Sequence, residues 1–376
     1  MNVLICIPCL MTGGTEIQTL SLVKVLVYAG HRVTTVCYFE YTIQMKRLYK
    51  EAGCNVVCLS EESIRPNGLS STIRLLYKGL KRLLSTQKFD IAHVQYMAPG
   101  AIPIILLKIL GIKKIIATAH TMADIYPSLR LIHFLQRYVL TAFICITRKA
   151  EESFFGSSQL YSSDVQLKHK GNHFTIYNNL PDYIHIREQA KELQAVTTIG
   201  VVSRLEIIKG MDLVIPAFIT IHQKLPHIKL LIVGDGSLRK DMEKQVQEND
   251  IASFVTFAGK QSQEQLQRWY DRIDVLLIPS RSEGFGLTAI EGMARGCVVI
   301  AANVGGIAEV VINNESGLLH HQGDKTDIIK QFLRLSSNPS MLVALSHGAI
   351  KRAKDFSTDN YTQQINDLYR AITTLS

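Results

Sequence analysis

The sequence predicts an α/β protein built from two doubly wound domains in tandem, and three observations predict it. Short apolar runs alternate with helix-like runs along the whole chain, the pattern of a parallel sheet covered on both faces. The alternation starts afresh near residue 197, after a polar stretch containing "NNLPDYIHIREQ". The chain has 376 residues, 47% of them hydrophobic, and domains usually run to roughly 100–200 residues. Residues 1–180 are therefore expected to form one Rossmann-like domain, 190–355 a second, and 356–376 a terminal helix. Two such domains are expected to face across a cleft.

In the first half, strands are expected at 2–9, 32–39, 55–60, 91–96, 114–120 and 142–147. A helix follows "TGGTE" and runs to about Ala29, and another spans 71–87. The second half begins with a strand at 197–204 and a helix at 212–225. Strands at 228–236, 253–259, 275–280 and 297–302 follow, with helices at 238–249, 263–272 and from Leu287. The run 356–375 reads as a last helix with no strand after it. No solenoid repeat is visible.

Composition narrows the function classes. No apolar run approaches the ~20 residues of a membrane-spanning helix, and "MNVLICIPCL" lacks the layout of a signal peptide. A cytoplasmic protein is expected. The seven scattered cysteines read as free, mostly buried thiols, and Cys54 and Cys58 form a C-x3-C without the second pair a zinc site needs. The net charge of +9 lies wholly in residues 1–190, where 21 Lys and Arg face 12 Asp and Glu; the remainder carries 20 of each. The first half is thus expected to face an anionic partner. No recognition motif or aromatic-studded basic stripe supports nucleic acid.

Ligands of doubly wound sheets bind beyond the carboxyl ends of the strands, so the strand ends carry the functional question. After the first strand, "PCLMTGGTE" places Gly13 and Gly14 before a helix start, which suits a phosphate or serves as an ordinary turn. "TAHT" puts His120 at a strand end, where it either meets a ligand hydroxyl or is a satisfied structural histidine; His93 sits similarly. "SRLEIIKG" offers Arg204 and Lys209, two cations that fit a diphosphate or form a solvated pair. "GDGSLR" brings Gly234 and Gly236 to a tight turn. "PSRSEGFGLTAIEGMARG" holds Glu283 on a turn and Glu291 inside the following helix, eight residues apart, with Gly284, Phe285 and Gly286 between them.

Together, "GGTE", "SRLEIIKG", "GDGSLR" and "SEGFGLTAIEGMARG" resemble the retaining glycosyltransferases of the GT-B fold, specifically glycosyltransferase family 4. The Glu-x7-Glu element is the most specific of these motifs, and the resemblance covers nearly the whole chain. It implies that Arg204 and Lys209 hold the diphosphate of a nucleotide-sugar donor, with help from Gly13 and Gly14. It implies that Glu291 binds the ribose, and that Glu283 with the amides of Gly284, Phe285 and Gly286 holds the sugar. Leu287 and Thr288 would lie over the phosphates, His120 would touch the transferred sugar, and the base would sit near Gly234 and Lys260–Gln261. The last helix would cross back onto the first domain. Ser203 and Val298 depart from the family's usual Gly and Pro, and "YNNLPD" only loosely resembles its Pro-Asn-Gly loop.

The implied reaction transfers a sugar to an acceptor hydroxyl with retention, without a cofactor or metal, since cations and amides stabilise the leaving diphosphate. The implied acceptor is a saccharide or lipid-linked saccharide in surface polysaccharide or lipopolysaccharide synthesis. Arg74, Lys78, Lys81, Arg82 and Lys88 accompany an apolar stripe of Ile73, Leu76, Leu80, Leu83 and Leu84. This is read either as a helix lying on anionic lipid or as a helix packed on its own sheet with a basic outer face. Two further readings stand beside transfer: a nucleotide-sugar epimerase of the same fold, and a silent nucleotide-sugar-binding subunit.

Overall fold

Apolar runs bounded by turns become the strands of two all-parallel sheets. The structure, a computed structural model, describes residues 1–95, 100–192 and 195–375. One unit comprises Met1–Asn179 and the chain from Asp359 onward; the other is Leu180–Thr358.

The first unit contains β1 (Asn2–Ile7), β2 (Arg32–Cys37), β3 (Asn55–Cys58), β4 (Ile91–Gln95), β5 (Lys114–Ala119), β6 (Ala142–Cys145) and β7 (Asn172–Thr175). Their order across the sheet is β3-β2-β1-β4-β5-β6-β7. Tyr96, the expected last residue of the fourth strand, lies outside the described residues. The second unit contains β8 (Thr198–Val202), β9 (Lys229–Val233), β10 (Val255–Gly259), β11 (Val275–Ile278), β12 (Val298–Ala302) and β13 (Gly317–His320), in the order β10-β9-β8-β11-β12-β13. Both sheets are doubly wound: the order reverses between β1 and β4 in one and between β8 and β11 in the other. In such sheets ligands bind at the reversal, beyond the carboxyl ends of the strands.

The central strands β1, β8 and β11 are almost wholly buried, which is why they read as continuous apolar runs rather than alternating ones. Side chains close several helix starts. Thr42 accepts from the Met45 amide at 3.2 Å, Thr147 from Ala150 at 3.1 Å, and Asp324 from Thr326 at 2.8 Å.

The helix Leu69–Thr86 decides between the two readings of the basic stretch. Leu76, Leu80 and Leu83 enter the core of the first unit, while Arg74, Lys78, Lys81 and Arg82 are exposed. The helix packs on its own sheet. Of the stripe, Leu76, Leu80 and Leu83 are buried and Leu84 packs against the same core, while Ile73 is exposed, so the packed reading holds over the lipid one. No helix among the described residues is long and apolar enough to cross a membrane.

The helix Thr358–Thr374 buries Ile365, Leu368, Tyr369 and Ile372. Its Tyr369 hydroxyl meets His93 Nδ1 at 2.8 Å, and His93 Nε2 meets Thr118 Oγ1 at 2.7 Å. His93 is thereby a fully engaged structural histidine. Burial lowers its pKa to about 3, with the neighbouring His120 adding to the effect.

Candidate functional site

The reversal between β8 and β11 gathers the charged residues singled out in the second half. The chain leaves β8 through Ser203 and Arg204, and Lys209 ends a short 3-10 turn, Ile207–Lys209. The chain leaves β11 through Pro279 to Gly286 and enters the helix Leu287–Ala294. Lys209 Nζ and the Glu283 carboxylate form an ion pair across these two loops. Arg204 is exposed, and its charge adds to the Ser237 hydrogen bonds in lowering the pKa of Glu206. An exposed cation thus lies five residues before the lysine of a closed pair.

The frame around them comes from Arg281, which lies in a quoted motif without an assigned role, and Asp212, which lies outside every motif. Arg281 forks onto Asp212, with Nη1 at 2.6 Å and Nη2 at 2.8 Å from the two carboxylate oxygens. Arg281 Nη1 also reaches the Ile207 carbonyl at 2.7 Å, and its backbone amide donates to Ile208 at 2.9 Å. The two loops are thus fastened on either side of Lys209. The fork holds Asp212 below the usual carboxylate range. A third loop is stitched on: the Leu205 amide donates to Asp235 at 3.0 Å, and Ser237 Oγ donates to Glu206 at 2.6 Å.

Gly234 has φ 137°, and a Cβ there would lie 1.8 Å from the Ser203 carbonyl. Only glycine lets the loops after β8 and β9 approach this closely. Its amide donates to Gly259 at 2.9 Å, so Gly234 contributes shape at this point rather than a spare donor. Lys260 is exposed nearby in sequence, and Gln261 donates to Ala258 at 2.6 Å.

Gly286 caps the helix Leu287–Ala294 with φ 99°, and a Cβ would come within 2.9 Å of Ile307 Cγ1. The amides of Leu287 and Thr288 belong to the first helical turn, whose N–H groups have no partner within the helix. Phe285 is buried, with its ring edge-on to Phe356 at 5.6 Å. Its side chain belongs to the core.

Glu291 is 5% exposed. Its two oxygens accept from the Tyr183 hydroxyl at 2.9 Å and the Tyr270 hydroxyl at 2.5 Å. Burial pushes its pKa up to about 7, and the two phenols hold it from rising further. The acids eight residues apart therefore have unlike surroundings: Glu283 faces a cation, and Glu291 faces two neutral donors in the interior.

Gly13, Gly14 and His120 lie in the first unit, also at strand ends. Gly13 caps the helix Gly14–Tyr28. The place where an anion would sit is partly taken by the chain's own Glu16, whose Oε2 would lie 2.5 Å from a Cβ at Gly13. Glu16 is buried, which raises its pKa, and it accepts from Cys9 Sγ at 3.1 Å. His120 follows β5, is 6% exposed, and meets Gln95 Oε1 through Nε2 at 3.1 Å. Burial lowers its pKa to about 4, so it is a neutral imidazole near pH 7. His93, Gln95, His120, Asn178 and Tyr361 border a cavity of about 20 Å³, room for about one water molecule. Among the described residues no group of three His, Cys, Asp or Glu side chains is arranged to hold a metal ion.

Comparison with known proteins adds an independent line. Residues 183–355 match the family described as "Glycosyl transferases group 1", and residues 12–156 match "Glycosyltransferase Family 4". Over 365 residues the chain is 27% identical to an uncharacterized glycosyltransferase of Methanocaldococcus jannaschii, covering 96% of this chain and 95% of that one. A D-inositol 3-phosphate glycosyltransferase of Mycobacterium leprae is 34% identical over 180 residues, 46% of this chain and 41% of that protein. That second likeness concerns less than half of either chain. Among solved structures, Anabaena HepE in complex with UDP and glucose has a TM-score of 0.77 at 18% identity, covering 99% of this chain and 100% of that one.

Proposed function

The chain belongs to the group 1 and family 4 glycosyltransferases and has their GT-B fold, and from that premise we propose that it moves a sugar from a nucleoside-diphosphate donor to an acceptor hydroxyl with retention. The observation that carries the reading is the Lys209–Glu283 pair beside the exposed Arg204, at the reversal between β8 and β11.

A diphosphate arriving there meets Arg204 at once and offers Lys209 a stronger anion than Glu283. Transfer of Lys209 to the phosphate releases the Glu283 carboxylate, which then accepts from hydroxyls of the donor sugar. The amides of Gly284, Phe285, Gly286, Leu287 and Thr288 complete the donor set, and Glu291 takes the ribose through its remaining lone pairs. From the first unit, His120 is assigned to the transferred sugar, as a neutral donor, and Gly13 and Gly14 to the diphosphate, which requires the Glu16 carboxyl to move aside. The base is assigned to the neighbourhood of Gly234, Lys260 and Gln261.

In the reaction, the bond between the anomeric carbon and the phosphate oxygen breaks as the acceptor oxygen bonds to the same face of that carbon. The acceptor proton goes to the departing phosphate. Charge growing on the diphosphate is met by Arg204, Lys209 and the loop amides, aimed before the reaction begins. This assigns to side chains the work that a metal ion performs elsewhere, and activity is expected to survive a chelator. The acceptor is assigned as a saccharide or lipid-linked saccharide of surface polysaccharide or lipopolysaccharide synthesis. The exposed basic face of Leu69–Thr86 would orient the first unit toward an anionic membrane without insertion.

The test is a thermal-shift screen of nucleoside diphosphates and their sugars, with chelator present, on the wild type and Arg204→Ala. One nucleotide should raise the melting temperature of the wild type and lose most of that effect in the variant. If no nucleotide shifts the folded wild type, the donor site is wrongly assigned.

A further inference from the structure

The seven cysteines do not share one environment. Cys6 and Cys297 are buried, and burial raises their pKa values to about 12 and about 11. Cys54 and Cys145 are buried and raised in the same way. Cys9 is raised to about 12 by burial and by the adjacent Glu16. These five are poor nucleophiles, because the thiolate is the reactive form.

Cys37 and Cys58 differ. They end the adjacent parallel strands β2 and β3 and stand opposite each other in the register. Neighbouring strands run about 4.8 Å apart, within the span of about 4.4–6.8 Å between Cα atoms that a disulfide bridges. The two thiols are close enough for each to shift the other's titration. Cys37 is fully buried, with Sγ 3.5 Å from the Glu40 carbonyl and 3.8 Å from that of Pro8. Cys58 is partly exposed. Lys46 and Lys50, from the helix Ile43–Glu51, bring positive charge to Cys58. The neighbouring Cys37 thiol and the two lysines lower the Cys58 pKa to about 7 against the opposing effect of burial, whereas the Cys37 pKa is raised by Cys58 and by burial. Thus a partly exposed thiol with a lowered pKa stands, in register, beside a buried thiol whose pKa is raised.

We propose that Cys58 and Cys37 are an oxidation site, in which Cys58 reacts with a hydroperoxide and Cys37 closes the product to a reversible intrachain disulfide. With hydrogen peroxide, the Cys58 thiolate attacks one oxygen, the O–O bond breaks, and hydroxide leaves to become water. Cys58 is then a sulfenic acid. The Cys37 sulfur attacks the Cys58 sulfur, the S–O bond breaks, and the departing oxygen takes the Cys37 proton and leaves as a second water. Two thiols and one peroxide give one disulfide and two waters, and an external dithiol reverses the link. The bond ties together the carboxyl ends of two strands.

The test treats the whole protein with equimolar hydrogen peroxide at neutral pH and maps its peptides without reduction. The expected product joins the Cys37 and Cys58 peptides, is lighter by two hydrogens, and disappears with dithiothreitol. In Cys37→Ser, a dimedone-type reagent should capture sulfenic acid at Cys58; in Cys58→Ser, the link should not form. Both variants are first matched to the wild type by circular dichroism and melting temperature. Iodoacetamide labelling of the untreated wild type gives a readout free of substitution, and Cys58 should react at least tenfold faster than the other six cysteines. The proposal fails if Cys58 labels no faster than the rest, if peroxide leaves both thiols free, or if the link joins Cys58 to Cys9.

Discussion

Lys209 and Glu283 lie 74 residues apart in sequence and form an ion pair between the loops that leave β8 and β11. Their side chains are 19% and 15% exposed, so the pair is shielded well enough from solvent to act on the fold as well as on a ligand. Lys209→Met and Glu283→Gln are each expected to cost about 1–3 kcal/mol. The double variant should cost less than their sum, since the second change finds its partner already gone. Thermal melts of all four proteins check this; strictly additive losses would mean that the two residues do not act on each other.

The Arg281–Asp212 fork fastens the loop that carries Lys209. Both side chains are about a third exposed, so its loss should cost only about 1 kcal/mol of stability. Arg281→Lys keeps the charge and loses the planar two-point contact. Its clearest effect should be on donor affinity, lowered about three- to tenfold with little change in melting temperature. Calorimetric titration with the nucleotide found in the screen checks it.

Buried carboxyls and buried imidazoles give opposite pH responses. Glu291, raised from 4.5 to about 7, binds its proton more tightly in the folded chain. Its contribution is fully present below the unfolded pKa and is lost as pH rises through 7. The loss is on the order of 3 kcal/mol at most. Glu291→Gln should therefore flatten the fall of melting temperature between pH 5 and 8. His93 and His120 have folded pKa values lowered to about 3 and about 4. Their contribution is present above about 6.5 and is lost as pH falls, by about 2 kcal/mol each at pH 5. His120→Gln should soften that acid limb. Melts at one-unit pH steps separate the two effects by their direction.

Gly286→Ala tests the turn itself. With φ at 99° and Ile307 within 2.9 Å of the added carbon, the change should cost about 1–3 kcal/mol. It should also displace the first turn of Leu287–Ala294 and so weaken nucleotide binding. An alanine variant with the stability and affinity of the wild type would show that this backbone shape is not needed.

Much of this architecture was legible because both sheets bury their central strands on two faces. β1, β8 and β11 announced themselves as unbroken apolar runs, and the cations and acids of the second half fell just past strand ends. The short strand Asn172–Thr175 did not: its polar His173 bonds the buried Glu151 at 2.7 Å, a contact invisible to hydropathy. Gly317–His320 and helices such as Lys325–Ser336 were also not assigned. The partners of the site were hidden for another reason. Tyr183 stands 108 residues from Glu291, and Asp212 stands 69 from Arg281. Nothing in a linear reading joins such pairs, and an isolated Tyr or Asp carries no mark of its eventual neighbour. The sequence could place Glu291 on a helix but could not foresee two phenols closing over it.

The hydrogen bond between His93 and Tyr369 spans 276 positions of chain. During synthesis, β1 to β7 emerge from the ribosome early, but the helix that buries Tyr369 against them does not exist until the other unit has been translated. The early sheet must therefore wait with an apolar flank uncovered, while Leu180–Thr358 can mature before the last segment appears. Such an order leaves a nascent intermediate dependent on delayed closure of a long loop, and folding of the first unit is correspondingly governed by the arrival of residues made last.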